Sequence, residues 1–325
     1  RTTDMIAESI RIPSHPNLYA RLWLPWSRQP CGVVHLIHGL GDHGERFRRF
    51  SRQLVRRDWA VVAVDLPGHG RSGGRRGAVK NYDNVLQLLA ACRTAAFDRY
   101  PAAKQFMLGH SMGGNLVLNF ALRRGEFEPD LTTDLSGVVL IAPMVMPPEF
   151  LTRTQVLAAW MAGFLVPWLK ISKRPRVDQL TQDPSVAAQI LLDPARHSEI
   201  SLYLATQLVA QGRFALDNAG KLETPTMIIQ GDDDELVDQS AVRHLALRVG
   251  SGARLETWPD GKHDLLNCVD SAQIAERIVD WMANLSSRHP RLKTSHASST
   301  VPFTAAVDPS QRVQDGRQPL LSDAA

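Results

Sequence analysis

Apolar residues recur along the 325-residue chain in two alternating patterns. Short apolar runs at residues 32–37, 60–64, 105–108, 137–141, 225–230 and 253–258 predict strands, most of them buried on both faces. Residues 45–57, 84–99, 115–124, 240–249 and 265–285 instead carry helical patterns. Two further runs at 5–12 and 18–23, joined at Ser14-His15-Pro16-Asn17, predict a hairpin-like opening. Strands alternating with helices imply βαβ units and a mostly parallel sheet, here of eight strands flanked by helices. The alternation stops between Pro143 and Ala219, where helical patterns occur without a clear strand, and an inserted helical cap is expected there. The expected organisation is a core at 1–142, a cap at 143–219, the rest of the core at 220–285, and a disordered tail at 286–325. That tail is rich in Ser, Thr, Pro and Ala and holds no sustained period.

One strand-to-helix junction carries chemistry. Gln105-Phe106-Met107-Leu108 leads into Gly109-His110-Ser111-Met112-Gly113-Gly114, and Leu116, Leu118, Phe120 and Ala121 follow at helical spacing. Strand, G-x-S-x-G and helix together make a nucleophile elbow. So tight a turn pushes the serine backbone toward a strained conformation and exposes its hydroxyl. Gly109 and Gly113 stand where a Cβ would collide with the turn, and the helix start offers free N–H groups to negative charge.

A serine hydroxyl is a poor nucleophile at neutral pH and needs a base, which needs an orienting carboxylate. In hydrolases built on this elbow the partners follow in the order Ser, Asp or Glu, His, each after a strand. The strand at 225–230 ends in Gly231-Asp232-Asp233-Asp234-Glu235-Leu236-Val237-Asp238, and the strand at 253–258 ends in Pro259-Asp260-Gly261-Lys262-His263-Asp264. His263 is the one histidine of eleven in that final loop. His38 and His69 precede Ser111 in glycine turns and are read as structural; His110 is expected to point away from substrate. Asp238 reads as a helix cap, and spacing alone does not choose among Asp232, Asp233 and Asp234. The oxyanion needs two N–H donors. Met112, next after the serine, supplies one; Leu40, in His38-Gly39-Leu40-Gly41 after the strand at 32–37, supplies the other.

Composition narrows the class. Hydrophobic residues make up 44% and charged residues 22%, the balance of a globular protein with a large core. The formal net charge is +4, and basic residues cluster at 46–57 (Arg46, Arg48, Arg49, Arg52, Arg56, Arg57) and at 71–80. These are read as a solvated helix face and a loop rather than an anion-binding patch, and no interleaved aromatics point to nucleic acid. Cys31, Cys92 and Cys268 show no metal-ligand spacing and are expected to be free thiols in a reducing compartment. No metal or cofactor is expected. Residues 1–4 have no signal-peptide core, and no apolar run is long enough to span a membrane, so a cytoplasmic location is expected. The chain opens on Arg1, not methionine, which is compatible with an upstream segment.

Taken together, HGLGDH at 38–43, D-x-P-G-H-G-x-S at 65–72 followed by Arg76-Gly77, GHSMGG at 109–114, QGDDDELVD at 230–238 and GKHD at 261–264 resemble a known family. They are similar to the monoacylglycerol lipase and lysophospholipase branch of the α/β-hydrolases, also labelled serine aminopeptidase-like hydrolases. The resemblance covers residues 5–285. It implies a G-x-x-D-x-x-V acid loop that selects Asp234, Leu40 and Met112 as oxyanion donors, and a lipid-facing cap. After His263 many members carry a glutamate where this chain has Leu265-Leu266-Asn267. The expected activity is hydrolysis of carboxylic esters, of monoacylglycerol or lysophospholipid type. An amide hydrolase or aminopeptidase with the same triad is the alternative, and a catalytically silent binding protein would need a broken triad. Leu157, Trp160, Met161, Phe164 and Leu165 fall on one face of the cap and are expected to line an acyl pocket, with contact to a membrane surface through the neighbouring basic residues. Oligomeric state is not legible.

Overall fold

The computed structural model describes residues 5–128, 135–148, 154, 161, 163, 165–172 and 175–288. Eight strands form one sheet: β1 (Ile6–Ser9), β2 (Ala20–Leu24), β3 (Gly32–Ile37), β4 (Trp59–Val64), β5 (Lys104–His110), β6 (Leu135–Ile141), and the two late strands Thr226–Gly231 and Ala253–Trp258. The late pair are β9 and β10, because the cap contributes β7 (Lys170–Ser172) and β8 (Glu199–Ser201). The sheet order is β1-β2-β4-β3-β5-β6-β9-β10. Only the two pairings made by β2 are antiparallel. From β4 to β10 all strands run the same way, so their C-terminal ends share one edge, where ligands gather in open α/β sheets.

Strand alternation divides the core between the two faces. Val33, Ile37, Met107, Val138, Leu140 and Ile228 pack on one side. There they meet α2 (Tyr82–Arg99), α3 (Met112–Leu122), the short α4 (Arg124–Phe127) and α8 (Gln239–Val249). Val34, Leu36, Phe106, Leu108, Val139 and Ile229 pack on the other, against α1 (Arg48–Val55) and α9 (Ser271–Arg288). Each inner strand is therefore apolar on both faces, which produced its unbroken run. The exception is a polar knot. His35 donates from Nε2 to Gln105 Oε1 (3.0 Å), Arg93 donates to the same oxygen (3.3 Å), and Arg93 pairs with Glu128 at 3.0 Å. Arg93 and Glu128 are almost wholly inaccessible, and burial depresses the His35 pKa to about 3, which keeps that ring neutral.

The structure departs from the sequence reading at four places. The opening hairpin has shorter strands than expected: β1 ends at Ser9 and β2 begins at Ala20, while Ile10 and Ile12 enter the core and two successive four-residue turns close on the Ile12 and His15 carbonyls. The cap is not strand-free, because β7 and β8 pair antiparallel. Each has three residues around a single isoleucine, too few to show a period; Lys170 and Glu199 bridge them at 2.6 Å. Besides these strands the described cap holds α5 (Val177–Leu180), α6 (Pro184–Leu192) and α7 (Leu202–Asn218). The last helix starts at Ser271, not 265, since Leu265 and Leu266 are drawn fully into the core ahead of it. It also runs on to Arg288, past the boundary expected at 285; the rest of the expected tail lies outside the described residues.

Breaking the buried pair at one end tests how the knot contributes. Glu128→Leu removes the buried carboxylate that pairs with Arg93 at 3.0 Å and is expected to cost about 3 kcal/mol in urea unfolding. Arg93→Met combined with Glu128→Leu should recover most of that loss.

Candidate active site

Ser111 follows β5 and precedes α3 with φ 54° and ψ −117°, outside the regions a side chain adopts readily. Such a residue costs roughly 1–3 kcal/mol and persists only where its surroundings fix it. They do so on both sides. Its N–H donates to the Ile141 carbonyl (3.0 Å), while its own carbonyl accepts from Met144 N–H (3.0 Å) and Asn115 N–H (3.2 Å). A Cβ on Gly109 would overlap the Gly113 carbonyl, and one on Gly113 would overlap that of Ile37. Both glycines are thus required by close backbone approach. Met112 is the first residue of α3, where an N–H has no partner within the helix. Gly39 lies against the serine, since a Cβ there would come 3.1 Å from the Ser111 Cβ, and this brings the loop bearing Leu40 to the elbow.

The structure brings Asp234 and His263 together. His263 Nδ1 donates to Asp234 Oδ2 at 2.8 Å, and both residues are buried. Gln230 Nε2 donates to the same carboxylate oxygen (3.0 Å), and Leu236 N–H donates to Oδ1 (2.9 Å). Burial alone would raise the Asp234 pKa; the charge and hydrogen bond of His263, with those two donors, hold it below the usual value. Burial pulls His263 down, but the charge and hydrogen bond of Asp234, helped by Asp264 and Asp42, outweigh it and raise its pKa. Asp233 instead pairs with Lys262, and Asp232 is exposed. Asp238 caps α8, accepting from the N–H groups of Ser240 (2.8 Å) and Ala241 (3.0 Å).

The neighbouring histidines hold loops. His38 donates from Nδ1 to the Gly39 carbonyl (2.7 Å) and accepts Leu66 N–H at Nε2 (2.9 Å), so it carries its proton on Nδ1. His110 donates from Nε2 to the His263 carbonyl (3.0 Å), which ties the elbow to the loop bearing His263.

Sequence reasoning missed a buried cation. Arg46 donates to Asp264 at 2.7 Å and to Asp42 at 3.3 Å, with only 7% of its side chain exposed. It joins the loop bearing Leu40 to the loop bearing His263, and does not lie on the solvated face expected of the 46–57 cluster. Its spacing of four from Asp42 was a local signal; Asp264, 218 residues away, was not. Gln230 carried no signal beyond its place at a strand end. The cap joins the same loops through its backbone: His263 N–H reaches the Gln179 carbonyl (3.4 Å), Asp264 N–H that of Leu180 (2.9 Å), and His197 N–H that of Gly41 (3.0 Å). Of the expected pocket residues, Met161 is 47% and Leu165 65% exposed. Leu157, Trp160 and Phe164 lie outside the described residues. Among the described residues no cluster of His, Cys, Asp and Glu is arranged to hold a metal ion, and no helix is long and apolar enough to cross a membrane.

A mostly parallel eight-stranded sheet with a strained serine elbow at its ligand-binding edge defines an α/β-hydrolase. The family model described as serine aminopeptidase, S33, matches residues 28–270. A monoacylglycerol lipase of Mycolicibacterium smegmatis is 27% identical over 266 residues, 81% of this chain and 91% of that protein. A monoglyceride lipase of Rattus norvegicus is 30% identical over 68% of this chain and 71% of its own length. In fold, the chain is similar to a soluble variant of monoglyceride lipase from Saccharomyces cerevisiae, solved with a substrate analog. That likeness has a TM-score of 0.75 at 19% identity over 88% of this chain and 97% of the other. The chain belongs to the serine aminopeptidase S33 family of α/β-hydrolases, in its monoacylglycerol lipase-like branch of carboxylic ester hydrolases.

Arg46→Met would leave Asp42 and Asp264 without the cation between them and is expected to cost about 3 kcal/mol, read from the urea midpoint. Arg46→Lys should recover only part, because an ammonium lacks the guanidinium fork. An unchanged midpoint in Arg46→Met would mean that the clamp contributes nothing.

Proposed function

We propose that Ser111, His263 and Asp234 form a Ser-His-Asp triad that hydrolyses monoacylglycerol or lysophospholipid esters. The 2.8 Å bond between His263 and Asp234, at the same sheet edge as the strained Ser111, carries this reading. With Nδ1 committed to Asp234, Nε2 of His263 is the nitrogen that takes the Ser111 proton as the hydroxyl oxygen attacks the ester carbonyl. Negative charge gathers on the carbonyl oxygen, where the N–H groups of Leu40 and Met112 meet it. The C–O bond to the alcohol then breaks as His263 returns the proton to the leaving oxygen. Water, deprotonated in turn by His263, attacks the acyl-serine and releases the fatty acid. Asp234 stabilises the imidazolium through both transfers.

The pH dependence has a defined sign. His263 must be neutral to accept a proton, so turnover rises as pH climbs through its folded pKa, which is held above the ordinary histidine value. The stability drawn from its charged pairing runs the other way: it is full below the unfolded pKa and lost as pH rises through the folded one.

Ser111→Ala should abolish ester turnover and labelling by a fluorophosphonate probe with the fold intact; surviving label would place the nucleophile elsewhere. Asp234→Asn should cut turnover on the order of 10⁴-fold. Removing that charge leaves burial dominant, so the midpoint of the residual pH profile should move to lower pH. Asp233→Asn should leave both nearly unchanged. A panel of p-nitrophenyl esters, monoacylglycerols, lysophospholipids and aminoacyl-p-nitroanilides fixes the substrate class. Faster turnover of the anilides would favour the amide reading.

The cap supports a second element of the proposal, contact with a lipid surface. Leu165 and Trp168 are more than 60% exposed, Leu169 and Ile171 are about half exposed, and Lys170, held by Glu199, lies among them. Apolar side chains exposed together suit shallow insertion into a lipid interface. Leu165→Ser with Trp168→Ser should lower turnover of long-chain monoacylglycerol presented in vesicles several-fold. Turnover of p-nitrophenyl acetate, which needs no interface, should hold; equal losses on both would mark a packing defect.

A further inference from the structure

The basic run at the start of α1 opens onto a cleft of about 670 Å³ away from Ser111. One side carries His43, Glu45, Arg46, Arg48, Arg49 and Arg52 of the core; the other is cap, with Ala188, Gln189, Leu192 and Asp193. The charges are unequal in number and in engagement. Asp193 is occupied by His43 Nε2 (2.8 Å) and Ala195 N–H (2.9 Å), and Arg46 by Asp42 and Asp264. Glu45 reaches Arg21 at 3.5 Å and Arg48 at 3.8 Å, beyond good hydrogen-bond distance. Arg49 and Arg52 make no ion pair among the described residues, and the buried Arg52 Nε meets no acceptor.

We propose that this cleft is a second binding site, separate from the triad, for a phosphate group. Arg49 and Arg52 supply guanidinium forks without an ion pair among the described residues, the charge of Arg49 being felt by the Asp183 carboxylate. Arg48 adds a third fork that is only weakly held, and such forks match phosphate oxygens in pairs. Because one wall is α1 and the other α6, occupancy joins cap to core. Leu192, 81% exposed at the rim, suits a phosphate carried on a lipid as well as a free one.

The test uses the full chain in three forms: unaltered, Arg49→Gln/Arg52→Gln, and Arg243→Gln/Arg248→Gln, which removes two exposed charges from α8 instead. Inorganic phosphate, compared with chloride at matched ionic strength, should raise the thermal midpoint saturably in the unaltered chain. The α8 variant should respond alike, and in the cleft variant the apparent affinity should fall on the order of tenfold or more. Turnover of p-nitrophenyl acetate should be the same in all three. Co-sedimentation with phosphatidylcholine vesicles, with and without phosphatidic acid, separates the sources. Binding that needs both phosphatidic acid and Arg49/Arg52, without a response to free phosphate, would assign the site to a lipid headgroup. A phosphate response that survives Arg49→Gln/Arg52→Gln would overturn the proposal. So would equal losses in the two double variants, or no response to phosphate or anionic vesicles.

Discussion

A single bent backbone governs the reactive edge of this protein. Ser111 can stand at φ 54° only because its N–H and carbonyl are gripped by Ile141, Met144 and Asn115 from two neighbouring elements. Those grips in turn require β6 to lie beside β5 and α3 to press against the sheet, with glycine at 109 and 113 where backbones nearly touch. The apolar core on both faces of the sheet thus does more than stabilise the fold. It holds a local conformation that an isolated peptide would abandon, at a cost small beside the total burial.

The second constraint is charge. The base role proposed for His263 needs its loop placed to within a fraction of an ångström, yet loops are the least constrained parts of a fold. Side chains from three places hold this one: Asp234 on the ring, His110 on the main-chain carbonyl, and Arg46 on the adjoining Asp264. Burying Arg46 is costly in isolation. Flanked by two carboxylates it is favourable, and its pKa is raised, so it stays charged at any working pH. The same carboxylates add to the field that lifts His263. Structure and electrostatics at this site therefore share the same residues.

Much of this was readable from the chain. Eight strands, their mostly parallel order, the elbow and the loops bearing Asp234 and His263 followed from apolar runs and from what stood at their ends. Three acidic neighbours, Asp232, Asp233 and Asp234, could not be separated by spacing, because loop geometry decides which of them turns inward. Only Asp234 does, and it was the resemblance to the family's G-x-x-D-x-x-V loop, not spacing, that singled it out. The clamp through Arg46 was invisible for another reason: an arginine in a basic run looks solvated until the fold brings Asp264 to it. The short strands β7 and β8 failed to register because three residues around a single isoleucine are too few to show a period. The helix expected from 265 began late because Leu265 and Leu266, apolar at helical spacing, serve the core as a turn instead.

The cap bears on both constraints. An insertion whose only task was to cover substrate could rest on side chains alone, yet this one makes main-chain hydrogen bonds at the loops bearing Gly41 and His263 and a side-chain bond at the loop bearing Asp234. Gln179 and Leu180 carbonyls hold the His263–Asp264 backbone, His197 N–H holds Gly41, and Gln179 Nε2 reaches Glu235 in the acid loop at 2.9 Å. Each such bond is worth only about 1 kcal/mol, but a buried N–H left without its partner costs more. Withdrawing residues 179–180 would therefore unsettle the loop bearing His263. On the proposed mechanism, changes in cap sequence at α5 act on turnover through the placement of that loop. Changes at the exposed side chains of Met161, Leu165, Trp168, Leu169 and Ile171 bear instead on what the cap meets outside.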